Sequence, residues 1–277
     1  MKHRTGSMLL SYLLLIIITT LFIAPLMMML LGSFKADHRV LLESGSVAAL
    51  LPHDLSLQNY SDVFRRSDFM RFFFNSLFIT SCIVICGLLV NSLAAYAFAR
   101  LQWRGRDLLF NLVLALMILP FEAIAVPLFY GASMFGLRDT YSVQILPFIA
   151  NAFSIYLFYS FFIGMPKELE EAARIDGAST LRIFFSIITP NAKPVFATVA
   201  ILTFLTWWGS YLWPTMVTIG PAVRPLPLAI ASFYTLPPLQ WGDILAFGVM
   251  MVSPVLLVFV IFQRWFVAGV ASSAIKG

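Results

Sequence analysis

Six long apolar segments constrain this chain more than any other feature of its sequence. A helix needs about 20 apolar residues to cross the hydrocarbon core of a bilayer, and each segment reaches that length. They occupy residues 9–33, 72–98, 108–130, 141–163, 195–216 and 244–266. None alternates strictly between apolar and polar residues, as the strands of a membrane barrel do. Because only helices and closed barrels satisfy the backbone in lipid, the sequence predicts an all-α membrane protein with six transmembrane helices in one domain, residues 1–277.

Composition supports a membrane protein and argues against a nucleic-acid partner. The chain is 60% hydrophobic and 11% charged, whereas soluble domains are about 25% charged. Its net charge is +5, but the basic residues are scattered at the ends of apolar segments and form no stripe. The first apolar run, residues 8–34, exceeds the core of about 7–15 residues found in signal peptides, so we interpret it as a first span.

The positions of lysine and arginine predict which side of the membrane each loop faces. The short loop from Ala99 to Asp107 carries three arginines, which favours the cytoplasm. This orientation puts the N-terminus in the cytoplasm, and six spans return the C-terminus to the same side. The long external segment, residues 35–71, contains Tyr60, Val63 and Phe64 at helical spacing, which predicts a short surface helix.

An internal loop, residues 164–194, is unusually polar for so apolar a chain. Pro166 is expected in the first turn of a short helix, and Gly177 at the end of that helix with positive φ. Ser179 or Thr180 is expected to cap a second helix. Small residues around the turn would let a partner approach the backbone closely. A solvated hairpin that only joins two spans is the alternative.

The residues of this loop resemble the EAA signature of the integral-membrane subunits of ABC importers. The matching positions are Glu171, Ala172, Ala173, Gly177, Ile187 and Pro190. The longer form EAARIDGA resembles the carbohydrate-uptake branch, which is related to maltose permeases; Thr189 departs from the leucine usual in the signature. Residues 58–64, 72–77 and 263–277 are also similar to segments of that family.

This resemblance implies an ABC type I importer permease fold in the cytoplasmic (inner) membrane of a prokaryote. It implies that the loop couples the chain to an ATPase through Glu171, Ala172, Ala173, Asp176, Gly177 and Pro190. The implied partners are a second homologous permease, two copies of an ABC ATPase, an extracytoplasmic solute-binding protein and membrane lipid. The chain has no Walker A motif, so we expect it to be no enzyme and to bind no cofactor, with ATP and Mg²⁺ held by the ATPase.

Polar and aromatic residues within the spans are candidates for the translocation pathway. Glu122 lies between Pro120 and Pro127 and either lines the pathway or caps a broken helix near the external side. Thr203, Thr206, Ser210 and Trp213 have the spacing of one helical face, which is either a sugar-binding face or an interfacial belt. Further candidates, which include two that can instead hydrogen-bond between helices, are Asn151, Ser154, Trp207 and Tyr211.

Taken together, these features predict a permease subunit that forms half of the pathway of an ATP-driven importer, with an oligosaccharide as the expected solute. Glycerol-3-phosphate or another small polar solute is the alternative within this class. A stand-alone secondary transporter would need inverted repeats and several intramembrane charges, which the sequence does not show. Neither the three histidines, His3, His38 and His53, nor the pair Cys82 and Cys86 has the spacing of a catalytic or metal site.

Overall fold

The computed structural model describes residues 2–51 and 55–274, and all regular structure within them is helical. This confirms the predicted all-α class. Residues 275–277 of the C-terminal tail and His53 of the external segment lie outside the described residues. The α-helices are α1 (Lys2–Gly32), α2 (Asp37–Glu43), α3 (Gln58–Arg66), α4 (Phe69–Arg100), α5 (Arg106–Leu116), α6 (Phe121–Met134), α7 (Tyr141–Ile145), α8 (Ala152–Ile163), α9 (Glu168–Ile175), α10 (Thr180–Ile183), α11 (Thr189–Asn191), α12 (Lys193–Trp208), α13 (Leu212–Val217), α14 (Leu226–Phe233) and α15 (Trp241–Ala274). Shorter elements are two 3₁₀ turns, Val47–Leu50 and Leu146–Phe148, and a π-helical turn, Phe184–Ile188.

Several of these helices are long and apolar enough to cross a membrane. Four segments of the described chain qualify by themselves: Leu10–Gly32, Phe69–Arg100, Tyr141–Ile163 and Trp241–Phe262. Two further pairs qualify if each is counted as one bent span, which raises the number to six. The first pair is α5 with α6, bent by 101°, and the second is Thr180–Asn191 with α12, bent by 81°.

The chain forms two compact units. Residues 1–71 and 229–254 make up the first unit, and residues 72–228 and 255–277 make up the second. In the first unit, Lys35 is almost fully buried. Its Nζ lies 2.5 Å from a Glu43 carboxylate oxygen and donates hydrogen bonds to two backbone carbonyls. The Asn59 amide donates to the carbonyls of Ser33 and Lys35, each at 2.8 Å. The two Asn59 bonds hold α3 against residues 33–35. The helix α3 itself confirms the short helix predicted from Tyr60 and its neighbours.

The second unit is built on an apolar core that joins α4, α8 and α12 to the internal loop. Phe158, Phe162, Ile183 and Ile188 are completely buried in it. Burial of each side chain of this size contributes about 1.5–3 kcal/mol. The internal loop therefore contributes to the core of this unit and is not simply a solvated connector.

A separate set of polar side chains in the second unit holds residues 222–226, which lie within the proline-rich stretch 221–227. The Asn75 amide donates to the carbonyls of Ala222 and Arg224, each at 2.9 Å. The Gln144 amide donates to the Val223 carbonyl. The Ser76 hydroxyl accepts a hydrogen bond from the Leu226 N–H. A segment that proline prevents from forming regular structure is thus ordered by side chains of α4 and α7.

Candidate functional site

Residues 168–183, here called the hairpin, have the local structure that their sequence predicts. Helix α9 is followed by Gly177 with φ of 78°, a left-handed conformation that glycine adopts without steric cost. The Ser179 hydroxyl then accepts a hydrogen bond from the Arg182 N–H at 3.4 Å and caps α10. The predictions for Gly177 and Ser179 are confirmed. Pro166 does not lie in the first turn, because Lys167 is the N-cap and α9 begins one residue later.

The helix α9 has an inner face that packs and an outer face that does not. Glu170 and Ala173, three residues apart, are buried, and Ala173 belongs to the apolar core of the second unit. Glu171, Ala172 and Asp176 are exposed. The signature residues therefore divide into one that packs inward and a group that is free for a partner.

The outer surface of the hairpin carries three exposed large apolar side chains among small and charged residues. Ile175 is 87% exposed, Leu181 62% and Leu169 40%. A Cβ added to Gly177 would meet no atom within 4 Å, so the turn beside Ile175 is open. The exposed Ala172 adds no bulk on this side. The result is a low surface on which Ile175 is the most exposed large apolar side chain.

Pro190, the last residue of the signature, accounts for the shape of the chain beyond the hairpin. In a continuous α-helix its ring would clash with the carbonyl of Ser186, and it has no N–H to donate. The preceding turn, Phe184–Ile188, is π-helical instead, which is the kind of local widening that relieves such a clash. The chain then bends by 81° into α12. Pro190 thus accounts for the π-helical turn before it, and the bend itself lies at Ala192, between α11 and α12.

A buried ionic cluster, which sequence reasoning missed, fixes the inner face of the hairpin. The Arg100 Nε lies 3.1 Å from the Glu170 Oε1, and their side chains are only 3% and 8% exposed. The Tyr96 hydroxyl donates to the other Glu170 oxygen at 3.2 Å, and the Arg100 guanidinium donates to the Met165 carbonyl at 2.5 Å. The spacing of Glu170 and Ala173 on one helical face was the available signal.

The predicted polar face of the fifth span is wrong. Helix α12 ends at Trp208, and α13 begins only at Leu212. In a continuous helix the ring of Pro214 would clash with the carbonyl of Ser210, which explains the break. As a result Thr206 is exposed whereas Trp213 is 1% exposed and donates from its indole to the Val143 carbonyl.

A recess in the second unit contains three of the nine candidate pathway residues, Trp207, Ser210 and Trp213. The Trp207 ring lies against Phe148 with the ring centroids 3.9 Å apart. Gln144 is buried, and its Oε1 has no partner among the described residues. The residues that line this recess are Ser76, Ile79, Thr80, Gln144, Phe148, Trp207, Ser210, Trp213, Pro214 and Pro225.

The other predicted pathway residues lie outside this lining. Glu122 is exposed in the first turn of α6, where Pro120 is the N-cap. The side-chain amide oxygen of Asn151 caps α8 by accepting a hydrogen bond from the Ser154 N–H at 2.9 Å. Both residues therefore belong to the start of that helix. Thr206 donates to a carbonyl of its own helix. The last two are the half-buried Thr203 and the exposed Tyr211.

Comparisons with known proteins agree with this architecture. A family model described as "Binding-protein-dependent transport system inner membrane component" matches residues 84–272. The arabinooligosaccharides transport system permease protein AraQ of Halalkalibacterium halodurans is 35% identical over 280 residues, which is 100% of both chains. The melibiose/raffinose/stachyose import permease protein MelC of Bacillus subtilis is 32% identical, with 99% of each chain covered.

A solved structure shows the same fold. It is the crystal structure of a bacterial ABC transporter involved in the import of the acidic polysaccharide alginate. The TM-score is 0.86 at 25% identity, and the match covers 96% of this chain and 98% of that one. The apolar helices, the EAA signature and these matches all indicate a multi-pass protein of the inner membrane. The chain therefore belongs to the family of inner membrane components of binding-protein-dependent transport systems.

Proposed function

We propose that this chain is one permease subunit of an ATP-driven carbohydrate importer. It forms half of the translocation pathway beside a second, homologous permease. Two copies of an ABC ATPase bind below the pair and hold ATP and Mg²⁺, and an extracytoplasmic binding protein delivers the solute. Membership of a binding-protein-dependent family and the sugar-transporting relatives support this assembly.

The exposed Ile175 at the tip of the hairpin is the observation that carries this proposal. A solvated connector gains nothing from an isoleucine with 87% of its surface exposed, because burial of that surface is worth about 25 cal/mol per Å². The open turn at Gly177 and the small Ala172 let a groove close around it. The inner face is meanwhile fixed to the second unit. The hairpin thus has the form of a rigid projection with an apolar tip, which suits a groove on an ATPase.

The sugar-transporting relatives support a neutral carbohydrate as the solute. The recess has a free volume of about 10 Å³, which is room for about one water molecule, so it holds no sugar in this structure. None of the residues that line it is charged. A dianionic phosphate such as glycerol-3-phosphate would need a cationic partner when desolvated, and this lining offers none.

Charge and size changes at the hairpin surface test the docking assignment. Glu171→Lys and Gly177→Asp are expected to abolish uptake and release the ATPase from the purified complex, while the chain still inserts in the membrane. The matched control is Asp107→Lys, which makes the same change of charge at an 82% exposed carboxylate of the predicted cytoplasmic loop. Normal transport by the two hairpin variants would contradict the proposal.

The solute class needs its own measurement. Uptake of a labelled arabinooligosaccharide and of labelled glycerol-3-phosphate is compared in cells that express the complete transporter. Uptake of the arabinooligosaccharide, with none of glycerol-3-phosphate, is the expected result. The reverse order would contradict the assignment of a neutral carbohydrate.

A further inference from the structure

The buried cluster of Arg100, Glu170 and Tyr96 connects three segments of the second unit. Arg100 is the last residue of α4, Glu170 lies in the first turn of α9, and Met165 follows the end of α8. The guanidinium reaches the Met165 carbonyl at 2.5 Å and the Glu170 carboxylate at 3.1 Å. The hairpin is therefore tied at one point to two of the apolar helices.

An ion pair is an unexpected choice for this position if its only task is stability. Both side chains are more than nine-tenths buried, and withdrawing two charges from water costs much of what their attraction returns. The Nε of Arg100 and the Oε1 of Glu170 make no hydrogen bond, so the pair is not arranged for greatest strength. The apolar core begins directly beside it, with the Tyr96 ring 5.3 Å from the Phe184 ring between centroids. An apolar pair of similar size would pack against that core at least as well.

The cluster can fix the orientation of α9 on α4, which apolar contacts alone do not. Burial of apolar surface is non-directional, so a helix held only by such contacts can slide or rotate. The Glu170 carboxylate forms an ion pair with Arg100 of α4 at one oxygen and accepts a hydrogen bond from Tyr96 at the other. Two contacts at different oxygens restrict the orientation of the carboxylate, and with it the orientation of α9 on α4.

We propose that Arg100, Glu170 and Tyr96 are positioning residues that transmit movement of the hairpin to α4 and α8. This inference rests on the proposed docking of the hairpin to an ATPase. When ATP closes the ATPases, the hairpin moves with its groove, and the cluster makes α4 and the end of α8 move with it. Without the cluster the hairpin still docks but slips on the core, so ATP closure no longer reaches the spans.

A native cysteine provides a reporter that does not depend on the solute. Cys86 is exposed on α4, so a nitroxide attached to it in a Cys82→Ala background reports movement of that helix. The complex of both permeases and ATPases is purified, and spectra are recorded with and without ATP in EDTA, which permits binding but not hydrolysis. The bound ATPase is quantified in the same samples.

Three variants separate transmission from folding. Tyr96→Phe keeps the ring in the core and removes one bond. Glu170→Gln keeps the side-chain shape and removes the charge. Arg100→Met with Glu170→Met replaces the pair by apolar packing. All three are expected to retain the ATPase. The ATP-induced spectral change is expected to decrease for Tyr96→Phe. In the other two variants it is expected to fall on the order of 5- to 150-fold, which is the usual size of a coupling between two sites.

The proposal is overturned if the double methionine variant shows the full ATP-induced change, because the pair then serves packing alone. The proposal is also overturned if Glu170→Gln leaves both the ATP-induced spectral change and the amount of bound ATPase unchanged. A third contradicting result is that Glu170→Gln releases the ATPase while the double methionine variant keeps it. Failure of the proposed function itself is distinguishable, since the unmodified chain would then retain no ATPase.

Discussion

Truncation of Ile175 is the sharpest test of the hairpin surface, because the chain offers a matched isoleucine eight positions away. Ile175 is 87% exposed and Ile183 is completely buried, although both lie in the same hairpin. Ile175→Ala should leave the stability of the isolated chain unchanged, since the side chain makes almost no internal contact. Ile183→Ala should instead destabilise the chain by about 2–5 kcal/mol, as buried isoleucine truncations do.

The expected loss of docking follows from the exposed surface. Ile→Ala removes three carbon atoms, each worth about 0.8 kcal/mol on burial, and most of that surface is available to a partner. Full burial in an ATPase groove thus predicts about 2 kcal/mol of lost affinity, or about 30-fold in Kd. Titration of the ATPase onto the purified permease pair, with thermal unfolding of the same samples, measures both quantities.

The pattern across the two variants decides the outcome. Weaker ATPase binding at unchanged stability for Ile175→Ala, with reduced stability for Ile183→Ala, is the predicted pattern. Equal ATPase affinity for Ile175→Ala and the unmodified chain would refute the reasoning, since the exposed isoleucine would then have no partner.

Two further predictions concern neighbouring or paired residues. Ala172→Leu should fold normally yet release the ATPase, whereas Ala173→Leu should lower stability by about 1–3 kcal/mol because it overfills a buried position; unfolding and ATPase retention of both variants check this, and equal behaviour would contradict the two-faced helix. In the first unit, Asp243→Asn should lower stability by about 3–5 kcal/mol because it leaves the Arg66 guanidinium without its buried charged partner. The control is Asp68→Asn, which breaks an ion pair with Arg71 at a side chain that is 62% exposed and should lower stability by about 1 kcal/mol or less. Denaturant unfolding measures both variants, and similar losses of stability would contradict this account.

Local rules predicted the hairpin because its geometry depends on neighbouring residues. A glycine where positive φ is needed and a serine before a helix act within a few positions, and both predictions hold at Gly177 and Ser179. The same kind of rule explains the break before α13, which was not predicted: in a continuous helix the Pro214 ring would clash with the carbonyl of Ser210. The predicted shared face failed because helical spacing was applied across the break between Trp208 and Leu212.

The ionic cluster could not be predicted in the same way. Tyr96 and Glu170 are 74 residues apart, and only the packing of α4 against the hairpin brings them together. The recess was also only partly foreseen, because Gln144 and Ser76 lie in segments interpreted simply as spans. Long-range pairing of polar side chains in an apolar core leaves little trace in local periodicity.

A photo-crosslink from the tip of the hairpin tests the central claim most directly. Cys82 and Cys86 are replaced by alanine, Ile175→Cys is labelled with a maleimide benzophenone, and the purified complex is irradiated and analysed by mass spectrometry. The predicted result is an adduct on a subunit with a Walker A sequence. A complex that still transports its solute but yields only adducts to lipid or to the permease partner would contradict the docking of this hairpin on an ATPase.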